Sequence, residues 1–170
     1  MPDKEMAFPA PFISTVMAIE PAWIDYNGHL NVAYYNVLFD RAIDEFYLPI
    51  GLGPDYLKES KHSTMVVESH VRYLREVHLG APLRVTAQLI GFDAKRFHVY
   101  QEMLHAEEGW VSATCETMTV HVDMTAKKVA AFPPSIMAAL QRAQDAHAAL
   151  PAPAAIGRRI AMAQPKPAAK

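Results

Sequence analysis

The run Asp25-Tyr26-Asn27-Gly28-His29-Leu30-Asn31 gathers a carboxylate, an imidazole and two amides in one short stretch. It lies between a segment rich in β-branched and apolar residues and one whose apolar residues follow helical spacing. Asn31 is a good N-cap, and Gly28 supplies a sharp turn just before it. A helix starting after Asn31 directs free N–H groups and the positive end of its macrodipole at this knot. Such donors can hold a carbonyl oxygen as it becomes negative. An acid beside them completes the parts for acyl transfer, by direct attack or through base-activated water. Asp25, with the turn at Gly28 and the helix start after Asn31, is therefore the candidate catalytic arrangement. A turn of Asp, Asn and Gly also forms for conformational reasons alone, so the surrounding elements must carry part of the case.

Those elements change period in an informative order. Phe12 to Ile24 reads as a strand. Val32, Tyr35, Leu38/Phe39, Ala42/Ile43 and Phe46 then mark one face of a helix that ends near Pro49-Ile50-Gly51. Pro54 to Glu59 adds a short helical turn. Four strands follow: Ser63 to Glu76, Leu83 to Leu89 with strict alternation, a run through Phe97, Val99 and Met103 after a Gly91–Ala94 turn, and Trp110 to Asp123. In the last, the apolar phase is odd at Val111, Ala113 and Cys115 and even at Met118, Val120 and Val122. That switch predicts a bulge near Glu116–Thr117 or burial on both faces. Ser135 to Leu150 forms a closing helix. One strand, one long helix and four hairpin-connected strands make an α+β fold, a curved antiparallel sheet of about five strands wrapped around the helix.

Composition narrows the function classes. The chain has 170 residues, enough for one domain with its own core, and a net charge of −2 that gives no general field for nucleic acid. A single cysteine excludes a disulfide framework and cysteine-rich metal sites. The eight histidines show no paired metal spacing, no glycine-rich nucleotide loop is complete, and no Gly-x-Ser-x-Gly elbow occurs. No apolar run approaches the ~20 residues of a membrane span. The N-terminus does not read as a signal peptide. The expectation is a cytoplasmic protein without metal or cofactor. Residues 1–11 read as a loose end, 12–150 as the folded domain, and 151–170 as a disordered Ala/Pro-rich tail. Four of the 16 basic residues lie in that tail, leaving 12 against 18 acidic residues in the body.

The run from Asp25 to Tyr35 resembles the D-x-x-G-H-x-N-x-x-Y-Y signature of hotdog-fold acyl-CoA thioesterases of the 4-hydroxybenzoyl-CoA thioesterase type, and the element order agrees with that family from Phe12 to Phe132. The resemblance implies that Asp25 is the catalytic carboxylate, that Gly28 ends the loop, that His29 and Asn31 stand at the family's site positions, and that amides at the helix start polarise the thioester carbonyl. Val32 departs from the more usual second asparagine. The stretch from Val67 to Val85 is similar to the thioesterase module found fused to, or beside, L-carnitine dehydrogenase in bacteria. That implies hydrolysis of betainyl-CoA to betaine and CoA, in which CoA is part of the substrate. A trimethylammonium head wants aromatic faces and a carboxylate. Trp23, Tyr26, Tyr34, Tyr35 and Trp110 are the aromatic candidates, and Glu68 or His70 could reach the site from across a dimer. Arg72, Arg75, Arg84, Lys95 and Arg96 are candidates for the CoA phosphates. An open sheet edge implies a homodimer or homotetramer. A hydratase or dehydratase on a hydroxyacyl thioester, and a non-catalytic acyl-CoA-binding protein, are the alternatives on the same fold.

Overall fold

The computed structural model describes residues 7–162. Its sheet consists of β1 (Phe12–Ile13), β2 (His62–Tyr73), β3 (Leu83–Phe92), β4 (Arg96–His105), β5 (Val111–Asp123) and β6 (Lys128–Val129). All pairings are antiparallel, in the order β1-β3-β4-β5-β2, with β6 beside the end of β5. The sheet wraps one long helix, α1 (Val32–Tyr47), with α2 (Pro54–Ser60) and α3 (Pro134–His147) completing the chain. This is the expected curved sheet on a central helix, with six strands rather than five.

α1 buries Tyr35, Leu38, Phe39, Ala42, Ile43, Phe46 and Tyr47, the stripe its spacing predicts. Val32 is the exception, more than half exposed. Two apolar clusters share the helix. Phe46 lies in one with Phe97, Val99 and the α3 residues Ile136 and Leu140; Leu38 lies in the other with Trp23, Leu30, Leu83 and Met103.

Three expectations change. The strand expected to reach Ile24 stops at Ile13, because Ser14 breaks the ladder: its hydroxyl accepts the Val85 N–H at 3.0 Å. The chain then touches β3 only at Met17 before a single turn of 3₁₀ helix at Pro21–Trp23. Gly91 and Phe92 belong to β3, and the β3–β4 turn starts at Asp93, whose Oδ1 accepts the N–H groups of Lys95 and Arg96. β5 has no bulge near Glu116–Thr117. The other expectation, burial on both faces, holds at Ser112–Cys115 and again at His121–Val122. Ala113, Cys115, Thr117, Thr119 and His121 keep one phase, all buried, so the apparent switch arises because this face turns polar. The bulges lie elsewhere, at Ser112 of β5 opposite β4, at Val67 of β2 opposite β5 and at Ile90 of β3 opposite β4.

Both ends of the described chain meet this frame. Phe8 packs edge-on against Phe46, and the Pro9 carbonyl accepts from His147 Nε2 at 2.9 Å. Where a loose tail is expected after Leu150, Ala155 is buried and the Gly157 N–H reaches the Glu116 carboxylate at 2.9 Å; residues 163–170 lie outside the described residues.

His147 is a neutral ring with both nitrogens used, since Nδ1 accepts the Leu89 N–H at 2.8 Å while Nε2–H donates to Pro9. Burial holds its pKa below the ordinary histidine value. Its contribution is therefore complete above the unfolded pKa of about 6.5 and is lost as pH falls through the lower folded value. The stability advantage of wild type over His147→Gln should shrink between pH 7 and pH 5 in thermal melts.

Candidate active site

The knot is a small closed turn. The Gly28 N–H returns to the Asp25 carbonyl at 2.9 Å, and the Asp25 N–H takes the His29 carbonyl at 3.0 Å. Gly28 has φ +83°, a left-handed value that side chains resist. Asp25 Oδ1 accepts the Asn27 N–H at 2.8 Å. Its Oδ2 stands 3.9 Å from His29 Nδ1, which lies 3.3 Å from the Leu30 carbonyl. The Asp25 side chain is only 13% exposed.

Asn31 joins the knot to the helix. Its Oδ1 accepts the Ala33 N–H at 3.0 Å, its carbonyl takes the Tyr34 N–H, and its own N–H is held by the Trp23 carbonyl. With the N–H groups of Ala33 and Tyr34 occupied, the Val32 N–H is the helix-start donor left at the cleft. Asp25, His29, Leu30, Val32 and Tyr35 form one wall of that cleft, of about 280 Å³, and Tyr73, Leu74, Arg75 and Glu76 the other. A carboxylate, a helix-start amide and a seat for a small acyl group thus meet in one place.

The second wall was hard to foresee. Tyr73 reaches the cleft because of the Val67 bulge. Before it Thr64 and Val66 line the cavities beside α1; after it Ser69 and Tyr73 do. Leu74 and Arg75 are fixed by Ser112, whose carbonyl accepts both their N–H groups at 2.8 and 3.0 Å and whose hydroxyl donates to the Arg75 carbonyl. Burial raises the Tyr35 pKa, against the pull of Ser112 and Val77 near its hydroxyl.

The remaining candidates are dispersed. Trp23 is buried core, stacked on Tyr34 at 5.2 Å with Arg41 over its ring. Tyr26 is almost wholly exposed. Glu68 and His70 line a separate pocket on the outer sheet face with His98, Glu116, Arg158 and Arg159. Arg72 alternates with them, and Arg84 is exposed beside the fully buried Leu83 and Val85. Lys95 and Arg96 sit at the far end of β4, Arg96 paired to Asp93 at 2.7 Å. Of the basic candidates, Arg75 lines the cleft. Its guanidinium lies 3.9 Å over Trp110, in an adjoining pocket that also takes in Glu76, His78 and His105. Burial pushes the Cys115 thiol up to about 12, unsuited to attack. Among the described residues no cluster of metal-ligating side chains forms, and no helix is long and apolar enough to cross a membrane.

Residues 19–140, covering both cleft walls, match the thioesterase-like superfamily. The chain belongs to that superfamily. It is 37% identical over 142 residues to a betainyl-CoA thioesterase of Pseudomonas aeruginosa, covering 84% of this chain and 89% of the relative. An L-carnitine dehydrogenase/betainyl-CoA thioesterase of Rhizobium meliloti is 37% identical over 94% of this chain, which spans only 32% of that longer protein. Among solved structures, a putative thioesterase of Pseudomonas putida superposes with a TM-score of 0.79 at 32% identity, covering 92% of this chain and 99% of the other. A Staphylococcus aureus protein solved in complex with CoA superposes at 0.83 and 24% identity, covering 91% and 98%, a likeness of fold.

Removing the Asn31 cap should cost about 1 kcal/mol, a fall of roughly 2–4 °C in melting temperature. In calorimetry, Asn31→Ala should show that fall, while Asn31→Asp keeps the acceptor and stays close to wild type.

Proposed function

We propose that the protein is an acyl-CoA thioesterase whose substrate is betainyl-CoA, released as betaine and CoA. The supporting observation is the meeting of Asp25 with the start of α1 in a small cleft, in a chain that resembles a betainyl-CoA thioesterase over most of its length. The thioester carbonyl oxygen turns toward the Val32 N–H, where the helix dipole favours the developing negative charge. The Asp25 carboxylate either attacks the carbonyl carbon, giving an anhydride that water opens, or takes a proton from the attacking water. In both routes the C–S bond breaks and the CoA thiolate leaves and is protonated. Arg75, at the junction of the cleft and the adjoining pocket, guides the polar CoA chain, and no step calls for a cofactor.

Thiol release over a panel of acyl-CoAs tests this. Release identifies a thioesterase, a change in double-bond absorbance without release identifies a hydratase, and binding without turnover identifies a sensor. Asp25→Asn should lower kcat by about 10²–10⁴-fold with circular dichroism unchanged. A near-normal kcat would remove Asp25 from the mechanism.

We also propose a homodimer joined along β2, working in the cytoplasm where acyl-CoA is made and used. β2 is a 12-residue edge strand, with Met65, Val66 and Val67 between 45% and 60% exposed. A long apolar edge needs cover, and a second copy pairing there would close the cleft beside Tyr73. Val67→Lys should give a monomer by light scattering and reduced thiol release.

A further inference from the structure

In betainyl-CoA a single methylene separates the quaternary nitrogen from the thioester carbon, so the two atoms are about 2.5 Å apart. Whatever holds the carbonyl against Asp25 and the Val32 amide must therefore also surround the cation. This constraint excludes aromatic residues remote from the cleft. It also excludes rings already occupied, since Trp23 lies under Tyr34 with Arg41 at 5.0 Å, and Trp110 carries Arg75.

Two rings line the cleft itself. Tyr35 and Tyr73 meet edge to face, centroids 5.0 Å apart and planes at 77°, so they form a corner rather than a slab. Tyr35 is buried, while Tyr73 is nearly half exposed and its hydroxyl points back to the Val32 carbonyl at 3.5 Å. Glu76 stands at the rim with its side chain 61% exposed, and its Oε1 is 3.3 Å from His78 Nε2. The cleft's cation, Arg75, is kept over the Trp110 ring at 3.9 Å; Trp110 is itself anchored by its Nε1–H to Glu108 and stacked on His105. The fixed positive charge of the cleft is thus drawn toward the neighbouring pocket, while Asp25 and Glu76 place negative charge around the seat.

We propose that the corner of Tyr35 and Tyr73, with the Glu76 carboxylate at its rim, is the seat that selects a quaternary ammonium acyl group, an assignment that rests on the thioesterase function proposed above. The rings supply negative faces and apolar contact to the methyl groups, and Glu76 supplies longer-range attraction. Tyr73 and Glu76 act on which acyl group is chosen; Asp25 acts on the bond that breaks.

The test compares betainyl-CoA with 3,3-dimethylbutyryl-CoA, in which carbon replaces nitrogen and the shape is kept. The quantity read is the ratio of the two kcat/KM values, whatever the absolute rates. Wild type should favour the charged substrate. Tyr73→Leu should lower that ratio by at least about fivefold, and Tyr73→Phe, which keeps the ring, should retain it. Glu76→Gln should lower it by less, in a manner that fades with added salt. If Tyr73→Leu loses its near-ultraviolet circular dichroism, Glu76→Gln, altered at an exposed position, decides. A wild-type preference that survives in both Tyr73→Leu and Glu76→Gln overturns the seat but leaves the thioesterase intact, as do equal wild-type values for the two substrates. Absence of thiol release from any acyl-CoA in wild type overturns the thioesterase and the seat together.

Discussion

Ser112 is the fastening on which the cleft depends. It is fully buried and is the residue by which β5 bulges against β4. Its carbonyl receives the N–H groups of Leu74 and Arg75, and its hydroxyl holds the Arg75 carbonyl. Three hydrogen bonds from one residue tie down the chain where it leaves β2 and would otherwise have no ladder to follow. Each is worth only about 1 kcal/mol net, but their loss would leave buried polar groups unpaired, which costs more. The same connector continues to Val77, whose carbonyl accepts the Leu30 N–H and so binds the second wall back to the catalytic turn. The two walls are linked through backbone, which suits a site whose geometry must hold to fractions of an ångström.

Much of this was legible locally. The apolar stripe of α1, the N-cap at Asn31 and the turn at Gly28 are all set by residues within a few positions of one another, and each stands where spacing placed it. The alternation from Leu83 to Leu89 was equally direct, since every inward residue there is buried. What escaped depends on partners distant in sequence. β1 appeared longer than it is because nothing local tells that the Ser14 hydroxyl will take the Val85 N–H. The polar phase of β5 looked like a bulge because Thr117, Thr119 and His121 are unusual inward residues, and only pairing shows them to be inward.

The site divides in the same way. Proximity in sequence brought Asp25, His29 and Tyr35 into view and also drew in Trp23, Tyr26 and Tyr34, which lie in the core, in solvent or against one another. No local pattern singles out Tyr73 or Glu76, the first because its direction is set by a bulge and the second because it sits in a connector without period. Among five basic candidates Arg75 is set apart by its place in the cleft wall, which the long-range hydrogen bonds of Ser112 fix. Types of residue announce the chemistry; the long-range register decides who attends it.

The bulge at Val67 has a bearing on how such proteins diverge. Because β2 changes face there, the set on the helix side after it is Ser69, Val71 and Tyr73, of which Tyr73 lines the cleft, and the outward set is Glu68, His70 and Arg72. Were the bulge straightened with Val67 kept and paired in the ladder, the two sets would exchange at once, putting two opposite charges and an imidazole where Ser69, Val71 and Tyr73 now face, with every residue unchanged. Loss of the Val67 codon would close the bulge and leave the facing of both sets as it is. The bulge in this strand is therefore inherited information about the ligand, as much as the identity of any side chain on it.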